Sequence, residues 1–139
     1  MTRAVVDASV AVKWLVDEKY TKQALQAYDT YELLAPTLIY AEVASALSKA
    51  VIRRELIADE GPRKMLEIIG ADIETVPDEL LAPEAVFLAT RLNHSVYDCF
   101  YLALAEAEEA PLITADRKLV SIARGSGLDV DVVWLGDVR

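Results

Sequence analysis

Short apolar runs alternate with helix-like segments along the chain, and this alternation limits the possible folds more than any other feature. Five runs have the length and composition of buried strands: 4–6, 33–35, 73–76, 112–114 and 130–134. The spacing of apolar residues predicts helices over about 8–17, 21–31, 37–54, 58–69, 83–92, 96–109 and 116–123. This order predicts an α/β fold in which a parallel sheet is covered by helices on both faces.

The size and composition of the chain are typical of one domain spanning residues 1–139. Hydrophobic residues make up 54% of the 139 positions, which is enough for a substantial core. We see no repeat and no apolar run long enough to cross a membrane. The N-terminus lacks a secretory pattern, so we expect a cytoplasmic protein. Cys99 is the single cysteine, which excludes an internal disulfide.

The net charge of the chain argues against a polyanionic ligand. Acidic residues outnumber basic ones 23 to 14, which gives a formal charge of −9. An acidic protein repels nucleic acids at long range. Two bound divalent cations would reduce that charge from −9 to −5, at the place where they bind.

Two acidic residues directly follow predicted strands. Asp7 ends the first strand and Asp116 comes just after the strand 112–114. Ligands of open parallel sheets bind beyond the carboxyl ends of the strands, so both positions suit a functional site. Each residue could instead cap the helix that follows it. Other acids, such as the pair Asp78 and Glu79, are predicted to be solvated surface.

Two further acids lie on predicted helices beside apolar residues. Glu42 borders the apolar stripe of the long helix 37–54, and Asp98 opens the helix 96–109. A partly buried, unpaired carboxylate is costly, and a bound cation would remove that cost. The alternatives are a Glu42 side chain that reaches water and an Asp98 that interacts with the helix dipole.

These four acids converge if the strands before Asp7 and Asp116 are neighbours. We call Asp7, Glu42, Asp98 and Asp116 the acid quartet. Carboxylates brought together raise each other's pKa unless a cation neutralises them. Oxygen donors without imidazole or thiolate favour Mg²⁺ or Mn²⁺, and carboxylate-bound Mg²⁺ in proteins commonly acts on phosphate.

The segments around the acid quartet resemble the four motifs of PIN-domain nucleases. They are Val6-Asp7-Ala8-Ser9, Ala41-Glu42-Val43, Tyr97-Asp98-Cys99 and Thr114-Ala115-Asp116. With this order and chain length, the sequence most closely resembles the VapC-type toxins of toxin–antitoxin pairs. The resemblance covers residues 4 to about 134.

The resemblance implies a three-layer α/β/α sandwich with a five-stranded parallel sheet. It implies Mg²⁺- or Mn²⁺-dependent cleavage of RNA by a homodimer. It also implies a cognate VapB-type antitoxin, with which the toxin could form a larger complex on operator DNA. By position, Asp7, Glu42, Asp98 and Asp116 become the catalytic, metal-binding acids, and Ser9 and Thr114 become polar accessories.

Basic residues near the motifs are the candidates for contacts with RNA phosphates. These are Lys13, Arg117 and Lys118. The basic end of the long helix, residues 49–54, is better explained by favourable charge at a helix C-terminus. His94, close to Asp98 in sequence, is predicted to be a surface-loop histidine.

Two other functions remain open from the residues. Phosphotransfer domains also place an aspartate after their first strand, but Asp7 is followed by Ala8 and Ser9 instead of a second acid two positions on. A catalytically degenerate PIN domain could serve in antitoxin binding or in a repressor complex. The complete acid quartet argues against that second alternative.

Overall fold

The computed structural model describes all 139 residues and contains one five-stranded sheet. The strands are β1 (Arg3–Val6), β2 (Glu32–Pro36), β3 (Ile73–Val76), β4 (Leu112–Thr114) and β5 (Val132–Trp134). They lie in the order β3-β2-β1-β4-β5, and every neighbouring pair is parallel. The predicted α/β fold with a five-stranded parallel sheet is therefore confirmed.

Seven α-helices cover the sheet. They are α1 (Ala8–Leu15), α2 (Thr21–Thr30), α3 (Leu38–Ile52), α4 (Glu60–Ile69), α5 (Asp78–Leu92), α6 (Val96–Glu108) and α7 (Arg117–Gly125). Right-handed connections between parallel strands place α1–α4 on one face and α5–α7 on the other. Accordingly, α1 contacts α2, α3 and α4, whereas α5 contacts α6.

Helix α6 crosses the middle of the sheet and packs on β1 and β2. Its residues Cys99 and Tyr101–Ala105 are all buried, because a helix in this central position meets protein on almost every side. Cys99 is fully buried and acts as a small apolar core residue, as its sequence context predicts.

The chain reverses its direction across the sheet between β1 and β4. Connections from β1 lead outward to β2 and β3, and the next one returns past β1 to β4. Val5 and Val6 pair with Leu112 and Ile113, so the two strands end side by side. A parallel sheet opens a crevice at such a reversal, beyond the carboxyl ends of the strands.

Helix α5 begins at Asp78, so the predicted start at Pro83 is wrong. Pro83 lies on the exposed face of α5, where the carbonyl that loses its N–H partner is accessible to water. The predicted solvation of Asp78 is also wrong. Its Oδ1 accepts a hydrogen bond from the Leu38 backbone N–H (2.9 Å), and its own N–H donates to Thr37 Oγ1 (3.2 Å).

Strand β5 begins at Val132 and not at Val130, because its pairing with β4 starts where Val132 meets Leu112. None of the helices combines the length and the apolar character that a bilayer span requires.

Candidate active site

Asp7 lies at the point where β1 ends and α1 begins. Its backbone is extended, with φ −96° and ψ 175°, and its Oδ1 accepts a hydrogen bond from the Val10 backbone N–H (3.3 Å). Asp7 therefore caps α1, which is one of the two roles considered for it. Its side chain is also buried, with only 5% of the residue exposed. Capping a helix does not require such burial, so this observation points to a second role.

Two hydroxyl groups hold the Asp7 carboxylate in one orientation. Ser9 Oγ donates to Oδ1 and Thr114 Oγ1 donates to Oδ2, each at 2.5 Å. Both hydroxyl oxygens accept a backbone N–H from the turn after β4, one from Ala115 (3.0 Å) and one from Asp116 (3.1 Å). The β4–α7 turn thus orients the hydroxyl groups, and the hydroxyl groups orient the carboxylate.

Burial raises the pKa of the Asp7 carboxyl group to about 6. The hydrogen bonds from Ser9 and Thr114 act in the opposite direction, and the negative charge of Asp98 raises the pKa further. The ionised form of Asp7 is therefore disfavoured at this site, and a bound cation would stabilise that ionised form.

Glu42 projects from α3 and forms a hydrogen bond to α6. The hydroxyl group of Tyr101, which is 1% exposed, donates to Glu42 Oε1 at 2.6 Å. Partial burial raises the pKa of Glu42; the Tyr101 hydrogen bond opposes this, and the charges of Asp98 and Asp78 add to it. Oε2 of Glu42 remains available for another partner.

Asp98 interacts electrostatically with both Asp7 and Glu42, so three members of the acid quartet share one region. Its direct partner is His94, whose Nε2 lies 2.6 Å from Asp98 Oδ2. The predicted surface position of His94 is wrong, although its predicted place in a loop is right. His94 does lie in the α5–α6 loop, but its side chain is only 10% exposed and faces the acidic site.

Asp116 caps α7, as its sequence context allowed. Its Oδ1 accepts hydrogen bonds from the backbone N–H groups of Lys118 (2.9 Å) and Leu119 (3.4 Å). The capping role uses one carboxylate oxygen. Its N–H contact with Thr114 connects Asp116 to the groups around Asp7.

The groups around Asp7 and Glu42 are carboxylate and hydroxyl oxygens, whereas the imidazole of His94 lies against Asp98 Oδ2. The oxygen donors suit a hard cation such as Mg²⁺ or Mn²⁺, and such a cation would also offset the cost of ionising Asp7. In their present rotamers, no three His, Cys, Asp or Glu side chains are close enough to share one ion. Binding a cation would therefore require carboxylate rotation or water ligands, which Mg²⁺ usually retains.

The three predicted phosphate-binding residues have different surroundings. Lys13 pairs with Glu18 at 3.0 Å and is 12% exposed. The Arg117 guanidinium carbon lies 3.5 Å from the centre of a Trp134 ring, in a cation–π contact, while Lys118 is exposed. Of these three, Lys13 lies in the cleft that also contains Ser9 and Glu42.

Sequence reasoning missed Tyr101 and His94 as partners of the acid quartet. A buried tyrosine hydroxyl normally has a hydrogen-bond partner, so the apolar context of Tyr101 was itself a signal. For His94, the four-residue spacing to Asp98 was the available signal.

The chain matches the family model described as "PIN domain" over residues 4–125. Among characterised relatives, ribonuclease VapC9 of Mycobacterium tuberculosis is 35% identical over 115 residues. That alignment covers 83% of this chain and 87% of VapC9.

Solved structures give the same fold. VapC20 of M. tuberculosis, titled a "Sarcin-Ricin loop cleaving toxin", has a TM-score of 0.67 at 11% identity, covering 92% of this chain and 98% of its own. VapBC2 of Rickettsia felis, bound to a promoter DNA fragment, has a TM-score of 0.62 at 15% identity, covering 96% and 98%. Because the family model spans most of the chain and VapC9 aligns over more than four-fifths of it, the protein belongs to the VapC ribonucleases of the PIN-domain family.

Proposed function

We propose that this protein is a metal-dependent endoribonuclease that acts as the toxin of a toxin–antitoxin pair. The observation that carries the proposal is the environment of Asp7. A buried carboxylate at the reversal point of the sheet is fixed by two hydroxyl groups and lies within the electrostatic reach of Asp98. Such an arrangement is costly for the apoprotein and useful for holding a cation against phosphate.

Mg²⁺ or Mn²⁺ is the proposed cofactor. Asp7 and Asp98 would hold it directly, Glu42 directly or through water, and Asp116 would contribute to a second, weaker position. A divalent cation supplies a lowered pKa for bound water and neutralises charge on a phosphate. The carboxylate and hydroxyl oxygens around Asp7 and Glu42 support this choice.

In the proposed reaction, the protein residues orient the attack of water in line with the scissile P–O bond. The hydroxyl groups of Ser9 and Thr114 keep Asp7 fixed, so no reorganisation of that carboxylate is needed during the reaction. Glu42 Oε2 would accept the proton of the attacking water, and the contact of Tyr101 with Oε1 alone supports this role. The expected products are a 5′-phosphate and a 3′-hydroxyl.

We also propose a cognate VapB-type antitoxin that covers the acidic site. The fold shared with VapC of the DNA-bound VapBC2 complex supports this, and assembly on operator DNA is part of the proposal. A basic antitoxin segment would be electrostatically complementary to the acid quartet. Because the proposed substrate is cellular RNA, we place the activity in the cytoplasm.

A homodimer is the proposed oligomeric state. Leu80, Val86 and Phe87 on α5 and Tyr97 on α6 are 70%, 57%, 54% and 57% exposed. These four residues form the α5–α6 apolar surface, and exposed apolar surface of this kind is typical of association sites.

The decisive experiment measures cleavage of RNA by the purified toxin. We expect cleavage with Mn²⁺ or Mg²⁺, none with excess EDTA, and recovery when Mn²⁺ is restored. Asp7→Asn should reduce turnover by orders of magnitude while the circular dichroism spectrum stays native. If Asp7→Asn cleaves RNA as fast as the wild type, the proposed site is wrong. Sequencing of the cleaved ends would then define the substrate.

A further inference from the structure

A cleft between α1 and α3 leads away from the acidic site. Its volume is about 570 Å³. Ser9, Glu42 and Ala115 line one end of it, close to the Asp7 carboxylate. Helix α3 supplies Lys49 and Arg53 farther along, and α1 supplies Lys13 from the opposite wall. The cleft therefore connects Glu42, the member of the acid quartet that lines it, to three cationic side chains, and Glu18 beside Lys13 is its other acid.

The cationic residues of α3 lie in register with Glu42. Positions 42, 46, 49 and 53 repeat at helical spacing, and all four line the cleft. At a rise of about 1.5 Å per residue, Lys49 lies about 10 Å along the axis from Glu42, and Arg53 about 6 Å beyond Lys49. Lys49 and Arg53 therefore form a row of positive charge that extends from Glu42 along the cleft.

Lys49 and Arg53 have no carboxylate within 4.0 Å, so both are free to bind an anion. Favourable charge at the C-terminal end of α3 does not explain why Lys49 and Arg53 line the same cleft as Glu42. Lys13 is paired with Glu18, which also lines the cleft, and a phosphate would compete with Glu18 for the Lys13 ammonium group. The floor between the two helices includes Ala46 and Ala50, whose small side chains leave room for a strand.

We propose that this cleft, lined by Lys13, Lys49 and Arg53, binds the sugar–phosphate backbone of single-stranded RNA next to the scissile bond. The inference rests on the proposed ribonuclease function and adds the path of the substrate. Concentrating cations in one cleft offsets the repulsion that a net charge of −9 produces elsewhere. A basic antitoxin segment would be repelled by the same residues, so RNA is the better-matched occupant.

The test is direct binding of RNA without cleavage. A fluorescein-labelled single-stranded RNA of mixed sequence is titrated in EDTA, with fluorescence anisotropy read at several salt concentrations. The double variant Lys49→Gln, Arg53→Gln is compared with Lys22→Gln, Lys64→Gln. The control pair removes the same charge from α2 and α4, outside the cleft and without breaking an ion pair.

We expect the cleft variant to bind RNA at least tenfold more weakly than the control. The plot of the logarithm of the RNA association constant against the logarithm of the salt concentration should become less steep by about 1.4, since each lost phosphate contact to single-stranded RNA contributes about 0.7. Native circular dichroism and unchanged Mn²⁺ affinity would show that fold and acidic site are intact.

Equal RNA affinity of the two double variants would overturn the cleft proposal even if the wild type cleaves RNA. Loss of antitoxin binding with RNA binding unchanged would also overturn it, and would assign the cleft to the antitoxin. A wild type that binds RNA in this cleft but never cleaves it would instead refute the ribonuclease function alone. A wild type that binds no RNA in EDTA would overturn the cleft proposal alone, because the ribonuclease function is decided by the Mn²⁺-dependent cleavage assay.

Discussion

His94 Nε2 lies 2.6 Å from Asp98 Oδ2, and the two side chains are 10% and 28% exposed. The position of His94 is fixed by the end of α5, where Asn93 is left-handed (φ 49°) and the His94 N–H donates to the Ala89 carbonyl (3.1 Å). The ring nitrogen occupies one oxygen of Asp98 and leaves the other for a cation. Hydrogen bonds of this kind orient metal-binding carboxylates.

Replacing His94 by leucine should therefore weaken Mn²⁺ binding by about 10- to 100-fold. His94→Gln is the matched control, because its side-chain amide can donate to the same Asp98 oxygen. Isothermal titration with Mn²⁺ would measure both variants, and saturating Mn²⁺ should restore much of the RNA cleavage by His94→Leu. Wild-type Mn²⁺ affinity in His94→Leu would refute this positioning role.

The raised pKa of Asp7 predicts how the stability of the metal-free protein depends on pH. The pKa of this carboxyl group is about 6 in the folded state, against an ordinary value of 3.8. The folded state therefore binds the proton more tightly than the unfolded state. Ionisation of Asp7 costs the fold nothing below pH 3.8, and the cost grows to about 3 kcal/mol once the pH exceeds 6.

Asp7→Asn removes this cost and should make the metal-free protein more stable than the wild type at pH 8. The advantage should shrink by about 1.4 kcal/mol between pH 8 and pH 5, as Asp7 becomes protonated. Urea denaturation in EDTA at the two pH values measures the difference in unfolding free energy between Asp7→Asn and the wild type, with Asp17→Asn as the control at an exposed position. A pH-independent difference between Asp7→Asn and wild type would contradict the assigned pKa.

The two roles of Asp116 can be separated by choosing the substitution. Asp116→Ala removes the hydrogen bonds to the N–H groups of Lys118 and Leu119, and should cost about 1 kcal/mol of stability. Asp116→Asn keeps the cap and should change stability by less than about 0.5 kcal/mol. If Asp116 also helps to hold a second cation, Asp116→Asn should lower RNA cleavage, though less than Asp7→Asn does.

Urea denaturation and Mn²⁺-dependent cleavage assays on the two Asp116 variants give the answer. A variant Asp116→Asn with wild-type cleavage at all Mn²⁺ concentrations would leave Asp116 as a helix cap only.

Much of the fold follows from local patterns in the sequence. Five short apolar runs and the helical spacing between them predicted the strands and helices to within a few residues, apart from the start of α5. That helix begins five residues earlier than predicted, at Asp78, which contacts Thr37 and Leu38 on a distant part of the chain. A contact over about 40 positions leaves no local signal.

The candidate site shows the same division between local and distant contacts. The sequence predicted Asp7 and Asp116 as strand-end acids, but only the structure shows that the strands before them, β1 and β4, are neighbours in the sheet. Ser9 and Thr114 were predicted from family motifs. The hydrogen bonds that their hydroxyl oxygens accept from N–H groups of the β4–α7 turn depend on how the chain packs. The cleft with Lys49 and Arg53 likewise depends on how α1 and α3 approach each other.

The α5–α6 apolar surface predicts how the proposed homodimer can be broken. Phe87 is 54% exposed and belongs to the α5–α6 apolar surface, eleven positions before Asp98 in the sequence. In a symmetric interface, Phe87→Glu would bury two charges at once. It should raise the dimer dissociation constant at least about tenfold, since a buried aromatic residue is a typical hot spot.

Light scattering coupled to size exclusion would report the change as a lower mass for Phe87→Glu. Leu66→Glu is the control, because Leu66 is 68% exposed on α4, which belongs to the other helical layer. We expect that variant to keep the mass of the wild type. A dimer that persists in Phe87→Glu, or one that dissociates in Leu66→Glu alone, would place the interface away from α5 and α6.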